Sequence, residues 1–162
     1  MTYDLMPNDV LVIGVGNIFR GDDGVGPAVA ARLRELALPG VMVLEQSGEG
    51  TSLMAAWENA AYAIVVDAVQ SGAEPGTVHR LDVTEKPIPA QYGSRFSGHA
   101  FGVAGAVEMA RLLGKLPEWL IVYGIEGLVF TTGQGLSVGV ESGVATAVQQ
   151  IREEITAVLK NK

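Results

Sequence analysis

A short segment near the start of the chain decides the fold: residues 10–27 read VLVIGVGNIFRGDDGVGP. The apolar run Val10–Ile13 predicts a buried strand, and Pro27 suits the first turn of a helix. Between them lies a glycine-rich loop that carries two adjacent carboxylates, Asp22 and Asp23. Because α/β proteins place their chemistry in loops at the carboxyl ends of parallel strands, this loop is the first candidate for a functional site.

The glycines of this loop suggest a dinucleotide-binding fingerprint, but two features oppose that interpretation. Gly14-x-Gly16 is followed by Phe19 where the fingerprint needs its third glycine. Asp22 and Asp23 would repel a pyrophosphate that approached the start of the helix. The sequence also has no Walker motif and no G-x-S-x-G nucleophile elbow. The loop therefore fits a cation better than a phosphate.

The composition is that of a globular protein. With 162 residues, 48% of them hydrophobic and 18% charged, the chain predicts a single domain, residues 1–162, with a packed core. A net charge of −7 disfavours nucleic acid and anionic membrane surfaces as partners. The sequence shows neither a signal peptide nor an apolar run of the roughly 20 residues that span a bilayer. The absence of cysteine excludes disulfides and thiolate chemistry. We expect a cytoplasmic protein.

Hydrophobic periodicity predicts alternating strands and helices. Apolar runs predict strands at 10–13, 41–44, 62–66 and 120–123, and an imperfect alternation predicts an exposed edge strand at 77–83. Helical spacing predicts helices at 27–38, around 53–57, from Ser97 to near Gly114, and over 144–158. Strands that alternate with helices in this way imply right-handed crossovers and a three-layer α/β/α sandwich.

Three residues are candidates for a divalent-metal site. Asp23 follows the first strand, Asp67 ends the third strand, and His99 stands at the start of a predicted helix. If the strand order is 2-1-3, Asp23 and Asp67 meet at the topological switch point of the sheet. Two crowded carboxylates are costly unless a proton or a cation separates them. Carboxylate and imidazole ligands together suit zinc, nickel or iron.

Structural interpretations of the same residues remain open. Asp22 and Asp23 could be turn or capping residues, and a lone histidine such as His99 is more often structural than a ligand. Asp67 is harder to explain by packing, because it follows five apolar residues directly.

Three other polar residues lie in or after predicted strands. His79 falls in the edge-strand pattern and is interpreted as a surface residue. Glu45 and Glu126 end strands and could flank the same cleft, although Glu126 fits a solvated loop residue equally well.

Short motifs then occur in order along the chain: Gly14-x-Gly16-Asn17 with Asp22-Asp23-x-x-Gly26, Val66-Asp67-Ala68, Pro75-Gly76-Thr77, Ser97-x-His99-x-x-Gly102 and Gly124-Ile125-Glu126. Together they resemble the motifs of the hydrogenase maturation proteases, the endopeptidases that trim the C-terminus of the NiFe-hydrogenase large subunit. The resemblance covers essentially the whole chain. One departure is the segment 45–51, which stands where the family often has Asp-x-Gly-Thr, and it leaves the hydrogenase subtype open.

The resemblance implies a five-stranded, mostly parallel mixed sheet with one antiparallel edge strand, for which 77–83 is the candidate. It implies that the metal-contacting positions of the family fall on Asp23, Asp67 and His99, and that Asp23 and Asp67 are also the catalytic candidates. These residues would recognise nickel already held by the large-subunit precursor, which is the implied partner. Another divalent metal could bind the isolated protein.

Two mechanisms remain open at this point. The metal could polarise the scissile carbonyl or activate water, or one aspartate could be the general base while the metal serves for recognition. Two other functions also remain: a non-catalytic nickel-binding or chaperone-like module, and a nucleotide-binding oxidoreductase, which the glycine pattern disfavours.

Overall fold

A computed structural model describes residues 9–93 and 102–161 of the chain. Its strands are β1 (Val10–Val15), β2 (Val41–Gln46), β3 (Tyr62–Val69), β4 (Val78–Asp82) and β5 (Trp119–Glu126). Its α-helices are α1 (Val25–Glu35), α2 (Gly50–Trp57), α3 (Ala90–Gly93), α4 (Val103–Leu113) and α5 (Val138–Lys160), and a 3-10 turn covers Gly21–Gly24.

The strands form one mixed sheet in the order β2-β1-β3-β5-β4. β1, β2, β3 and β5 run parallel, and β4 pairs antiparallel with β5 at the edge. The predicted α/β fold and the antiparallel edge strand are therefore confirmed, and the strand order meets the 2-1-3 condition under which Asp23 and Asp67 were expected to meet. The first and third strands lie side by side, so the loops that follow them meet at one edge of the sheet.

Helices cover both faces of the sheet, because successive strand residues point to opposite sides. Val65 and its neighbours on one face pack against α2 and α4. Val66 and its neighbours on the other face pack against α1 and α5. Both faces are buried, which explains why the central strands read as continuous apolar runs. Within residues 9–93 and 102–161, no helix has the length and apolar character to cross a bilayer.

Helix α5 is attached to three strands through one carboxylate. Glu154 accepts hydrogen bonds from the Tyr62 hydroxyl at 2.9 Å and the Tyr123 hydroxyl at 2.7 Å. It also accepts two from Arg80, from Nε at 2.6 Å and Nη2 at 3.2 Å. Burial and the Glu154 carboxylate raise the pKa of both tyrosines. The last helix is thereby tied to β3, β4 and β5.

The elements differ from the predicted ones mainly at their ends. β3 continues past Asp67, because the ladder to β5 extends through Asp67 opposite Gly124 to Val69 opposite Glu126. α5 begins at Val138, earlier than the apolar periodicity suggested. α4 begins at Val103, and the predicted start at Ser97 lies outside the described residues. The turn at 21–24 and the short helix α3 were not predicted.

Replacement of Val65 by aspartate tests the central strand. Val65 is fully buried between neighbouring strands and the α2–α4 layer. Val65→Asp should lower the free energy of unfolding by roughly 3–5 kcal/mol, because it buries an unpaired charge. The control is Val138→Asp, since Val138 is exposed in the first turn of α5 and an acidic residue suits that position. Urea unfolding of both variants is the measurement, and equal losses would contradict the assignment of β3 to the core.

Candidate active site

The loop after β1 folds back so that Asp23 lies against its start. Gly16 has a φ of 144°, and a Cβ on this residue would lie 1.8 Å from the backbone oxygen of Asp23. The amide of Asn17 donates a hydrogen bond to Asp23 Oδ2 at 2.9 Å. Only glycine fits this conformation and this close approach, so the turn depends on Gly16.

Helix α1 starts directly on the two central strands. A Cβ on Gly26 would lie 2.2 Å from the Val15 carbonyl oxygen and 2.6 Å from that of Val66. The glycine therefore lets the beginning of the helix touch both β1 and β3. Asp23, which precedes the helix, is thus held at the carboxyl ends of these strands beside Asp67.

Asp67 is a fully buried carboxyl group. Its Oδ1 accepts a hydrogen bond from the Ala68 amide at 2.8 Å, and Oδ2 has no hydrogen-bond partner in the described part of the chain. Burial raises the pKa of Asp67 well above its usual range, and the charge of Asp23 raises it further. The hydrogen bond from Ala68 lowers the pKa but does not outweigh these two effects. The two aspartates therefore interact electrostatically.

This pair of carboxyl groups fits a cation with oxygen ligands. A positive charge beside Asp67 Oδ2 would relieve the repulsion from Asp23 and compensate for burial. Among residues 9–93 and 102–161 there is no group of three histidine, cysteine, aspartate or glutamate side chains placed to hold a metal ion. The third predicted ligand, His99, lies outside the described residues, so its role stays a prediction.

Asp22 has a structural role, as the turn or capping interpretation expected, but the sequence did not reveal its distant partners. It is fully buried and accepts hydrogen bonds from the loop between β5 and α5, with Oδ2 bound to the amides of Leu128 and Val129, each at 2.8 Å. Ser137, at the start of α5, donates its amide to Oδ1 at 2.7 Å and its hydroxyl to Oδ2 at 2.8 Å. Burial acts to raise the pKa of Asp22, but these hydrogen bonds outweigh it and lower the pKa.

The interpretations of His79 and Glu126 as surface or solvated residues are wrong. Glu126 is buried and accepts hydrogen bonds from the amide and hydroxyl of Ser71. His79 Nε2 lies 3.2 Å from Glu126 Oε1, and its Nδ1 lies 3.1 Å from the Tyr92 hydroxyl. β4 returns beside β5, which places His79 opposite Gly124 and close to the end of that strand.

The same register relates His79 to the candidate site. Asp67 and His79 both lie opposite Gly124, on either side of it. Directly opposed residues project to the same face of a sheet, so the two side chains share the face that carries α2 and α4. Both ring nitrogens of His79 already have partners, Glu126 and Tyr92. We therefore interpret His79 as a structural residue beside the candidate site.

The segment that departs from the family pattern, residues 45–51, runs from the end of β2 to the first residues of α2. Glu49 accepts hydrogen bonds from the amides of Thr51 and Ser52 and from both of their hydroxyls, and these bonds lower its pKa to about 2. Glu45 is exposed and pairs with Arg34 at 3.1 Å. The segment that departs from the family pattern therefore includes a helix start that the Glu49 side chain caps.

Removal of the Asp22 carboxylate should destabilise the protein. Asp22→Ala leaves the donors from Leu128, Val129 and Ser137 unpaired and should cost at least about 2 kcal/mol. A lowered folded-state pKa means that this stability is present above the ordinary pKa and is lost as pH falls through the lowered value. Urea unfolding from pH 2 to 7 measures both effects. Glu35→Ala, at an exposed carboxylate in the last turn of α1, should change stability by less than about 0.5 kcal/mol.

Asp67 should make stability depend on pH in the direction opposite to Asp22. Its raised folded-state pKa means that its contribution is complete below the ordinary pKa and is lost as pH rises through the raised value. Asp67→Asn should therefore be at least as stable as the wild type at pH 8 and should lack this fall. Glu35→Gln, at an exposed carboxylate, should keep it. The measurement is urea unfolding from the ordinary carboxyl pKa up to pH 8. If the free energy of unfolding of Asp67→Asn fell with rising pH as the wild type's does, the prediction would be wrong.

Comparison with known proteins identifies the family of the chain. A sequence model described as hydrogenase maturation protease matches residues 27–154. A Methanocaldococcus jannaschii protein assigned as a hydrogenase maturation protease is 35% identical over 153 residues, covering 91% of this chain and 96% of the relative. The hydrogenase 2 maturation protease of Escherichia coli is 28% identical over 145 residues, covering 88% and 87%. The solved structure of the E. coli endopeptidase HybD superposes with a TM-score of 0.72 at 25% identity and covers 91% of this chain and 92% of its own. The chain belongs to the hydrogenase maturation protease family.

Proposed function

We propose that this protein is the endopeptidase that removes the C-terminal extension of a NiFe-hydrogenase large-subunit precursor, in the cytoplasm and after nickel insertion. Family membership supports the reaction class and the kind of substrate. One structural observation carries the assignment to particular residues: the buried Asp67 carboxyl group, with Oδ2 unpartnered among the described residues, lies within the electrostatic reach of Asp23. Such pairs of unequal carboxyl groups are suited to acid–base chemistry.

The pair can supply the two proton transfers that peptide hydrolysis requires. The oxygen of water bonds to the scissile carbonyl carbon, the carbon–nitrogen bond breaks, and the departing nitrogen gains a proton. Asp67, whose pKa is raised by burial and by Asp23, holds a proton that it can donate to that nitrogen. Asp23, oriented by the Asn17 amide, accepts the proton of the attacking water. After the products leave, Asp23 gives up the proton that it took from water and Asp67 takes one up, which restores both groups for the next cycle.

Nickel enters this proposal as part of the substrate. In the isolated protein, burial and the charge of Asp23 keep Asp67 protonated; a cation brought by the precursor would be attracted to the Asp23 carboxylate and would make Asp67 release its proton more readily. A precursor without nickel lacks this favourable contribution and should bind less tightly. We assign His99 as the third group that contacts the nickel, on the basis of its place in the motif. The isolated protein would take up another divalent metal weakly, because the precursor supplies the remaining ligands.

The test is to mix the purified protein with large-subunit precursor, either nickel-loaded or nickel-free, and to follow the mass of the precursor's C-terminus. The wild type should shorten the nickel-loaded form and leave the nickel-free form largely intact. Asp23→Asn and Asp67→Asn should each reduce the cleavage rate by at least about 100-fold, since each removes one of the proposed proton-transfer groups. Glu35→Gln is the matched control, because Glu35 is exposed at the end of α1, and it should cleave normally.

The outcomes separate the competing functions. Equal cleavage of both precursor forms would exclude recognition through nickel while leaving the peptidase intact. Retained activity in both asparagine variants would remove Asp23 and Asp67 from the catalytic assignment. If the wild type binds nickel-loaded precursor and cleaves neither form, a non-catalytic nickel-binding module is the better description.

A further inference from the structure

Large apolar side chains are exposed beside the candidate active site. They come from the loop after β1 and the loop after β5, and we call them the apolar lip: Ile18 (51% exposed), Phe19 (56%), Leu128 (61%) and Val129 (45%). Single exposed apolar residues are ordinary on protein surfaces, but a group at a cleft needs an explanation. None of the catalytic steps proposed above uses these side chains.

The lip rests on a fixed backbone. Gly133 donates its amide to the Phe19 carbonyl at 2.8 Å and accepts one from Gly21 at 2.8 Å. The Val129 carbonyl accepts the Asp22 amide at 2.7 Å, and the Asp22 carboxylate binds the amides of Leu128 and Val129 in return. The two loops are therefore joined by hydrogen bonds on both sides of Asp22. Fixed apolar groups can bind a partner without a further cost of ordering the loops.

The lip also adjoins the reacting group. Asn17, whose amide contacts Asp23 Oδ2, is bonded directly to Ile18, the first member of the lip. On the other side, Val129 is hydrogen-bonded to Asp22, the residue before Asp23. If the scissile bond lies at Asp23, the residues that flank that bond are therefore the part of the substrate nearest to the lip.

We infer that the apolar lip binds the apolar residues of the precursor that flank the scissile bond, and so helps to choose the bond that is cut. This inference rests on the proposed function, because it takes the precursor as the occupant. Alternating contacts from Ile18 and Phe19 on one loop and from Leu128 and Val129 on the other would hold an extended segment between them. Burial of such side chains contributes binding energy in proportion to the apolar area that is covered.

Substitutions in the lip test this inference by steady-state cleavage of the nickel-loaded precursor. The double variant Phe19→Ser with Leu128→Ser should raise KM by about tenfold or more and change kcat by less than about twofold, as expected for the loss of apolar binding contacts. The backbone bonds of residue 19 do not need its side chain, so thermal melts should match the wild type. Phe19→Leu with Leu128→Met keeps apolar area and should restore most of the affinity.

The control is Leu112→Ser. Leu112 is 83% exposed in the last turn of α4, which leads to the N-terminal end of β5. The candidate site lies at the other, carboxyl ends of the parallel strands. Leu112→Ser should leave KM unchanged. If the lip double variant matches this control, the inference is wrong while the peptidase assignment stands.

Two further measurements distinguish precursor binding at the lip from failure of the proposed function and from self-association. If the wild type does not cleave the precursor, the proposed function fails, and precursor binding measured by interferometry then decides the inference: weaker binding by the serine variant supports it, and equal binding overturns it. Sedimentation of the protein alone addresses a second copy as occupant. A wild-type dimer that the serine variant dissociates would identify the lip as a self-association surface and overturn the inference.

Discussion

The buried carboxylate of Asp22 is the interaction on which the site depends. It draws together the loop after β1 and the loop after β5, which are more than a hundred residues apart in sequence. Its hydrogen bonds give partners to the amides of the loop after β5, and they hold the first turn of α5 in place. Asp22 and Asp23 are neighbours of identical chemistry, yet Asp22 has a structural role and Asp23 is the one proposed for catalysis. The difference comes from their surroundings: amide and hydroxyl donors enclose Asp22, whereas Asp23 lies beside another acid.

That second acid is the unfavourable element of the fold. A fully buried carboxyl group such as Asp67 would be replaced by an apolar residue if stability alone mattered, since it adds no core packing that valine or leucine could not provide. Asp67 lies among the apolar residues of β3 and next to Asp23. This position fits a carboxyl group whose proposed partner is supplied by the substrate. The sheet makes this arrangement possible, because neighbouring parallel strands end together and bring two acids from distant parts of the chain to one edge.

The fold could be predicted from local sequence patterns together with the family resemblance. The apolar runs indicated the positions of the central strands, and the structure confirms that Asp23 and Asp67 lie near each other at the ends of neighbouring strands, whereas their catalytic role stays a prediction. Tertiary contacts determined what the patterns missed. His79 looks exposed in an alternating segment, but the antiparallel return of β4 brings it to Glu126 and Tyr92. The partners of Asp22 lie in a loop whose path no local periodicity encodes. For His99 the sequence motif remains the basis of the assignment.

The hydrogen bonds of Glu154 have a consequence for biosynthesis. Tyr62, Arg80 and Tyr123 present their polar groups on the sheet face that α5 covers, and all three share a carboxylate on the last helix of the fold. Because a ribosome releases the N-terminal part of a chain first, β3, β4 and β5 emerge before the group that satisfies them. The sheet face that α1 and α5 share therefore stays partly uncovered until α5 docks. Chaperones that shield apolar surface would have their greatest effect in that interval, before the closing helix has left the ribosome.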